Sequence, residues 1–76
     1  MNNLQETLKK IGFEPDDFGN LALCVGEPDK TYALIMISDY DTGDVPTDET
    51  KKLLVGINVE DKNGTLLDCF QNIINL

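Results

Sequence analysis

The sequence predicts a two-layer α+β domain with an N-terminal helix, a three-stranded, mainly antiparallel sheet and a C-terminal helix. Three observations support this fold class. Residues 4–11 and residues 65–75 each carry apolar side chains at helical spacing. Between them lie three segments rich in strand-favouring residues, namely 21–25, 31–38 and 54–60. Helices packed on one small sheet account for all five segments.

The N-terminal helix is the clearest element. Its apolar residues recur at i, i+4 and i+7 from Leu4 to Ile11. Asn3 and Glu6 have the spacing of a capping box, and Gly12 follows as a C-terminal stop. The sequence therefore predicts a short amphipathic helix that ends at Ile11.

A loop and a hairpin are expected next. Residues 13–20 (FEPDDFGN) contain Pro, Gly and Asp in the manner of a loop, and Phe13 and Phe18 are expected to pin that loop to the core. Residues 21–25 and 31–38 predict a hairpin, because the segment between them places Pro and Asp in turn positions. The second strand is apolar on both alternating faces, so we expect it to be central and covered on both sides.

The segment from Leu54 to Glu60 predicts a half-buried strand, because its apolar residues alternate with Gly, Asn and Glu. A competing interpretation makes Thr47 the cap of a short helix that runs to Leu54 and stops at Gly56. We expect the strand, with one helical turn allowed before it.

Residues 65–75 admit two interpretations. Asn63-Gly64 is a strong hairpin signal and favours a strand after it. A TLLD segment typical of a helix N-terminus begins at Thr65, however, and five apolar residues share one helical stripe: Leu66, Leu67, Phe70, Ile73 and Ile74. The stripe favours a C-terminal helix, and the alternative is a fourth strand in its place.

Composition narrows the function. The chain, expected to form one domain over residues 1–76, has 14 acidic residues, six lysines and neither arginine nor histidine, for a net charge of −8. Without histidine and arginine, acid–base catalysis, nucleophilic catalysis and zinc binding lose their commonest participants. We therefore expect no enzymatic activity and no cofactor. The acidity also disfavours direct binding to nucleic acid or to an anionic membrane.

The sequence favours a cytoplasmic location. No apolar run is long enough to span a bilayer, and the first ten residues lack the layout of a secretory signal. Cys24 and Cys69 lie in apolar segments, LALCV and LLDCF, which predicts buried thiols. A disulfide between them stays open as an alternative, although a cytoplasmic location disfavours it.

The most acidic stretch is SDYDTGDVPTDE, residues 38–49, with five acids and no base. Counted from Asp39 as a calcium loop of the EF-hand type, it places Asp44 where Gly is required and Thr50 where the closing Glu is required. We therefore predict no metal site. A weak Ca²⁺-binding module that uses residues 39–49 remains an alternative function.

Some small acidic proteins, including phage-encoded inhibitors, present carboxylates where the phosphates of DNA would lie. Fully extended, these twelve residues span about 40 Å, which gives one charge per roughly 8 Å against one per about 3.4 Å along a DNA strand. The stretch alone is too dilute for a DNA mimic, so other acids would have to lie beside it. The candidates are Glu14, Asp16, Asp17, Glu27 and Asp29.

We therefore expect a non-enzymatic binding protein, of the inhibitor or immunity type, that docks a negatively charged face onto a basic partner such as a nucleic-acid-binding protein. The residues expected at that face are Asp16, Asp17, Asp39, Tyr40, Asp41, Asp44, Val45, Asp48 and Glu49. A self-associating structural protein, a homodimer formed through a sheet edge or an apolar helix face, is a further alternative.

Overall fold

A computed structural model describes residues 4–27 and 29–76, which form one helix and one antiparallel sheet whose strands follow each other in chain order. The elements are α1 (Leu4–Ile11), β1 (Glu14–Pro15), β2 (Leu21–Gly26), β3 (Thr31–Asp39), β4 (Lys52–Asp61) and β5 (Leu66–Asn75). β3 is the middle strand of the five, and β1 and β5 form the two edges. No helix in the described ranges has the length and apolar character needed to cross a membrane.

The predicted N-terminal helix is confirmed, with the predicted end. Gly12 adopts a positive φ of 126°, and its N–H donates to the carbonyl of Lys9 while the N–H of Phe13 donates to that of Leu8. These two bonds form a Schellman motif, which satisfies carbonyls that the end of the helix leaves free. Asn3 lies outside the described residues. At the described start of the helix, Asp48 Oδ1 accepts the N–H of Leu4 at 3.0 Å, a cap supplied by a residue far away in the sequence.

The predicted hairpin of the second and third segments is also confirmed. β2 and β3 pair antiparallel, with Leu21 opposite Ile37 and Gly26 opposite Tyr32. β4 spans Lys52–Asp61 rather than the predicted 54–60. It pairs along the whole of β3. The alternative helix from Thr47 to Leu54 does not form. Its first residues make a single turn, in which Thr50 N–H donates to Thr47 C=O.

The predicted three-stranded sheet with a C-terminal helix is wrong, because residues 66–75 form β5, which pairs with β4. One register irregularity, between Val59 and Glu60, leaves Leu67 without an opposite residue. The turn before β5 explains the outcome. Asp61 Oδ1 accepts the N–H groups of Asn63 and Thr65, and Gly64 N–H donates to the carbonyl of Asp61. This closed turn returns the chain beside β4, where every second residue of β5 bonds its backbone groups to that strand. For a helix over residues 65–75, the sequence specified no comparable partner.

A further short strand, β1, lies inside the segment predicted as a loop. Glu14–Pro15 pairs with Leu21 and Ala22 as the two-residue strand β1. Proline is tolerated there because β1 is an edge strand and its outer side needs no N–H donor. Of the two phenylalanines expected to pin this segment, Phe13 is buried, whereas Phe18 is 84% exposed.

The core is small and lies on one face of the sheet. Its buried members come from the end of the helix and from the three central strands: Phe13, Leu21, Ile37 and Leu53. Leu4 and Leu8 of α1 pack against this cluster. An eight-residue helix covers only part of one face, and no second layer among the described residues covers the other. The expectation that β3 is covered on both sides is therefore wrong.

The two cysteines lie on the uncovered face of the sheet. Cys24 and Cys69 are both exposed and unpaired, contrary to the prediction of buried thiols. They lie in one row across the uncovered face, since Cys24 pairs with Leu34, Leu34 with Asn58 and Asn58 with Cys69. Three strand spacings separate them by about 14 Å, which is too far for a disulfide within one chain.

Candidate functional site

The antiparallel topology gathers the acidic loops at one end of the sheet. The loop of residues 16–20 enters β2 and the loop of residues 40–51 leaves β3, and Leu21 of β2 pairs with Ile37 of β3, so both loops lie at the same end. The loops also touch: a Cβ added at Gly19 would lie 2.5 Å from the carbonyl oxygen of Gly43. We call this surface the acidic end. Its carboxylates are Asp16, Asp17, Asp39, Asp41, Asp44, Asp48 and Glu49, half of the 14 acidic residues in the chain.

Asp39 is a member of the acidic end whose carboxylate is engaged within the chain through both of its oxygens. It is buried, Oδ1 accepts the N–H groups of Asp41 and Thr42, and Oδ2 accepts the hydroxyl of Thr50 at 2.8 Å. The Thr50 hydrogen bond, followed by these N–H bonds, outweighs burial and lowers the pKa of Asp39 below its ordinary value. Its ionised carboxylate closes the loop and faces inward.

Asp16 and Asp48 also hold the backbone in place. Asp16 accepts the N–H groups of Phe18 and Asn20 together with the side-chain amide of Asn20. The backbone hydrogen bond from Asn20 is the main cause that lowers the pKa of Asp16. Asp48 caps α1 through the N–H of Leu4, which ties the long loop to the helix.

The remaining acids are free to meet a partner. Within the described ranges, no hydrogen bond or ion pair involves the carboxylates of Asp17, Asp41, Asp44 and Glu49, and all four residues are exposed. Against the seven carboxylates of the acidic end stand two lysines, Lys51 at the end of the long loop and Lys52 at the start of β4. Negative charge therefore dominates this end.

The loops that carry these acids are anchored at several points. Val45 is half-buried against the core, and the neighbouring Pro46 is fully buried. The carbonyl of Lys51 accepts the N–H of Leu76. Val45 is thus a packing residue, whereas Tyr40, 48% exposed, remains available at the surface. The anchoring holds the free carboxylates on a fixed frame, which reduces the entropy cost of binding.

A cleft of about 330 Å³ opens between the free acids of the long loop. Carboxylates, hydroxyls and one ammonium line it: Asp39, Asp41, Thr42, Thr47, Glu49 and Lys51. Across residues 4–27 and 29–76, no three His, Cys, Asp or Glu side chains come close enough together to hold a metal ion. The cleft therefore offers oxygen acceptors to a basic or hydrogen-bonding group.

Phe18 is the feature of this end that the sequence interpretation missed. Its ring is 84% exposed on the 16–20 loop, whose backbone Asp16 fixes by accepting the N–H of Phe18 itself. Aromatic side chains, Phe among them, are enriched in the cores of protein–protein interfaces. The only sequence signal was its place in DDFG, between two acids and a glycine.

Two of the other candidate acids lie at the opposite end of the molecule. Glu27 and Asp29 belong to the turn between β2 and β3, and Glu27 pairs with Lys30 at 3.2 Å. The nine residues of β3 separate this turn from the acidic end by about 30 Å. These acids cannot share a docking face with Asp41 and Asp44, and they serve as a control surface below.

The contact between the two acidic loops can be tested with a pair of glycines. Gly19 and Gly43 both have positive φ, but a Cβ at Gly43 would meet nothing within 4 Å. We expect Gly43→Ala to lower the free energy of unfolding by about 1–2 kcal/mol through backbone strain alone. Gly19→Ala should lower it by about 1–3 kcal/mol more, because its methyl group collides with backbone. Urea unfolding followed by circular dichroism checks this, and equal losses would mean that the loops do not touch.

The Thr50 hydroxyl gives a pH-dependent prediction. Thr50→Val leaves Asp39 Oδ2 and the N–H of Thr47 without a partner, and we expect a loss of about 1–3 kcal/mol at neutral pH. Because the folded pKa of Asp39 is lowered, its ionisation stabilises the fold above the ordinary aspartate pKa of about 3.9. That contribution disappears as pH falls through the lower folded value.

The difference between wild type and Thr50→Val should therefore be largest at neutral pH and narrow below about pH 4. Urea unfolding at several pH values measures it, with Thr47→Val as the control, because the Thr47 hydroxyl accepts the N–H of Glu49 and makes no hydrogen bond to Asp39. A gap that stays constant down to the acid limit would show that the hydroxyl does not stabilise the charged form of Asp39.

Comparison with known proteins gives no match to a family model, to a curated protein or to a solved structure.

Proposed function

We propose that this protein is a non-enzymatic, cytoplasmic binding protein of the inhibitor type, which docks its acidic end onto a basic surface of a partner protein. The observation that supports this proposal most strongly is the contact between the loops at Gly19 and Gly43. It joins two acidic clusters that lie more than twenty residues apart in the sequence. Asp17, Asp41, Asp44 and Glu49 are the docking carboxylates.

The energetics of the acidic end favour a cationic partner. Seven carboxylates at one end of a small sheet repel one another, and the folded chain bears that cost. A basic surface relieves it on binding and speeds encounter through the long-range field. A basic groove that normally holds nucleic acid supplies such a surface.

The surroundings of the charges supply affinity beyond electrostatics. Exposed Phe18 and half-exposed Tyr40 give apolar contact area beside the carboxylates. The cleft between Asp41 and Glu49 gives an arginine or lysine side chain of the partner a place with several oxygen acceptors. Charge thus directs the approach, and the aromatic rings hold the complex.

Affinity capture from an extract of the native host tests the proposal with two charge-matched variants. Asp41→Lys with Asp44→Lys reverses the acidic end, and Glu27→Lys with Asp29→Lys reverses the far turn. Each pair removes two negative and adds two positive charges, changing the net charge from −8 to −4. Asp39 is left unchanged because it is structural.

We expect wild type and the far-turn variant to retain the same basic protein, and the acidic-end variant to lose it. High salt should release it from the first two. Equal retention by both variants would contradict the proposal.

The calcium alternative has less support. Both carboxylate oxygens of Asp39, the first ligand in that hypothesis, already accept protein hydrogen bonds, and Thr50 is one of the donors. A bound cation would have to displace them. Titration calorimetry with millimolar Ca²⁺ separates the two functions, since a calcium module predicts heat and a rise in melting temperature, whereas the docking protein predicts neither.

A further inference from the structure

The edge strand β5 is the most apolar open surface of the molecule. All ten of its residues are exposed. Ten large hydrophobic side chains of the described chain are exposed, and six of them belong to β5 or directly follow it: Leu66, Leu67, Phe70, Ile73, Ile74 and Leu76. A long apolar edge with free backbone groups is a template for pairing with another strand, and natural proteins cover or charge such edges.

The amount of exposed surface matches a missing partner. The chain exposes 5319 Å², whereas a compact monomer of 8.4 kDa exposes about 4,600 Å². The excess is therefore about 700 Å², close to the roughly 800 Å² that each partner buries in a standard interface. The principal dimensions of the chain, 39 × 22 × 19 Å, also describe an extended particle.

The outward hydrogen-bonding groups of β5 can be identified from the ladder. Leu76 N–H donates to Lys51 C=O, and the pairing continues in the same register up to Asp68, so the even-numbered residues face β4. The odd-numbered residues point their N–H and C=O groups away from the sheet. Two of these outward donors, the N–H groups of Cys69 and Ile73, are bonded only to the side-chain oxygen of the residue before each.

We propose that β5 pairs antiparallel with β5 of a second copy about a two-fold axis at Phe70, which joins the two sheets into one of ten strands. A two-fold axis perpendicular to the sheet pairs residues of the same parity. Cys69 and Gln71 then exchange backbone hydrogen bonds across the interface. Phe70 faces Phe70 of the other copy in the closer, non-hydrogen-bonded type of pair.

The side chains of β5 match one another in this register. Asp68 of one copy lies opposite Asn72 of the other, so polar side chains oppose each other, and the apolar ends of the two strands also meet. A shift of two residues in one direction would place Asp68 opposite Ile74, and a shift in the other would place it opposite Phe70. Of these three registers, the one centred on Phe70 is the one that sets Asp68 opposite a polar side chain.

The distribution of charge also favours β5 as the surface for self-association. Asp68 is the single charged residue of β5, in a chain with a net charge of −8. Two copies that approach through any acidic loop repel each other, whereas two β5 edges meet with one carboxylate each, separated by the register. The second copy is therefore the occupant that this edge fits, and the acidic ends remain free for a partner.

Sedimentation equilibrium of the full chain tests the proposal. We expect wild type to sediment as a dimer and Phe70→Lys, which sets two lysines at the two-fold axis, as a monomer at concentrations where wild type is dimeric. Val25→Lys is the matched control, because Val25 is 50% and Phe70 54% exposed, and it should stay dimeric. Circular dichroism confirms that each variant is folded. A monomeric wild type, or a dimeric Phe70→Lys, would overturn the proposal.

A cross-linking experiment tests the register without depending on a disruptive variant. In a background of Cys24→Ser and Cys69→Ser, Phe70→Cys should form an intermolecular disulfide under mild oxidation, since residue 70 faces itself across the axis. Gln71→Cys in the same background should not, because residue 71 faces residue 69. Cross-linking through position 71 in preference to position 70, or through neither, would refute the interface.

Discussion

Leu21→Ala is expected to lower the free energy of unfolding by about 2–5 kcal/mol. Leu21 is fully buried, and it joins the β2 end of the core to Ile37 and the helix residues above it. A domain of this length has a total stability of about 4–11 kcal/mol, so the loss is a large fraction of the total. Urea unfolding followed by circular dichroism at a fixed protein concentration measures the loss.

Leu34→Ala is the control for this prediction. Leu34 is half-buried on the uncovered face of β3, where truncation removes less buried area and leaves no closed cavity. We expect it to cost about 1 kcal/mol. Equal losses at the two positions would mean that both faces of the sheet are covered, which would contradict the one-sided core.

Phe18→Ala should weaken binding to the captured partner by about 30-fold or more, which corresponds to 2 kcal/mol or more for an aromatic anchor. Its side chain is 84% exposed, so truncation should leave the free energy of unfolding unchanged. The loss would therefore belong to the complex alone. Titration calorimetry with the purified partner measures it.

Ile11→Ala provides the comparison, since Ile11 is 62% exposed at the C-terminal end of α1, opposite to the end that Asp48 caps. It should bind the partner like wild type. If Phe18→Ala binds equally well, the aromatic ring is not an anchor and the interface rests on charge alone.

The elements that the sequence predicts correctly are those with local signals. The helix ends where Gly12 permits a Schellman motif, and the β2–β3 hairpin follows from two apolar segments and one turn. β5 was predicted as a helix because its apolar residues satisfy helical spacing as well as strand pairing. The choice depended on the Asp61 turn network and on the free edge of β4, which are relations between distant residues.

The candidate site shows the same division. Asp39 and Asp41 look alike in the sequence, but Thr50, eleven residues further on, makes one structural and leaves the other free. Phe13 and Phe18 are equally apolar, yet only Phe13 is buried beneath the helix. The contact of Gly19 with Gly43, which joins the acidic loops, has no local signal at all. Composition predicted an acidic surface, and long-range contacts determined which carboxylates it presents.

The most direct test of the acidic-end proposal is the rate of association with the captured partner, measured at several salt concentrations. Wild type and the Glu27→Lys/Asp29→Lys variant should associate fast at low salt and slow steeply as salt rises. Asp41→Lys/Asp44→Lys should associate about 10-fold or more slowly at low salt and depend little on salt. Equal rates and equal salt dependence for the two variants would contradict docking through the acidic end.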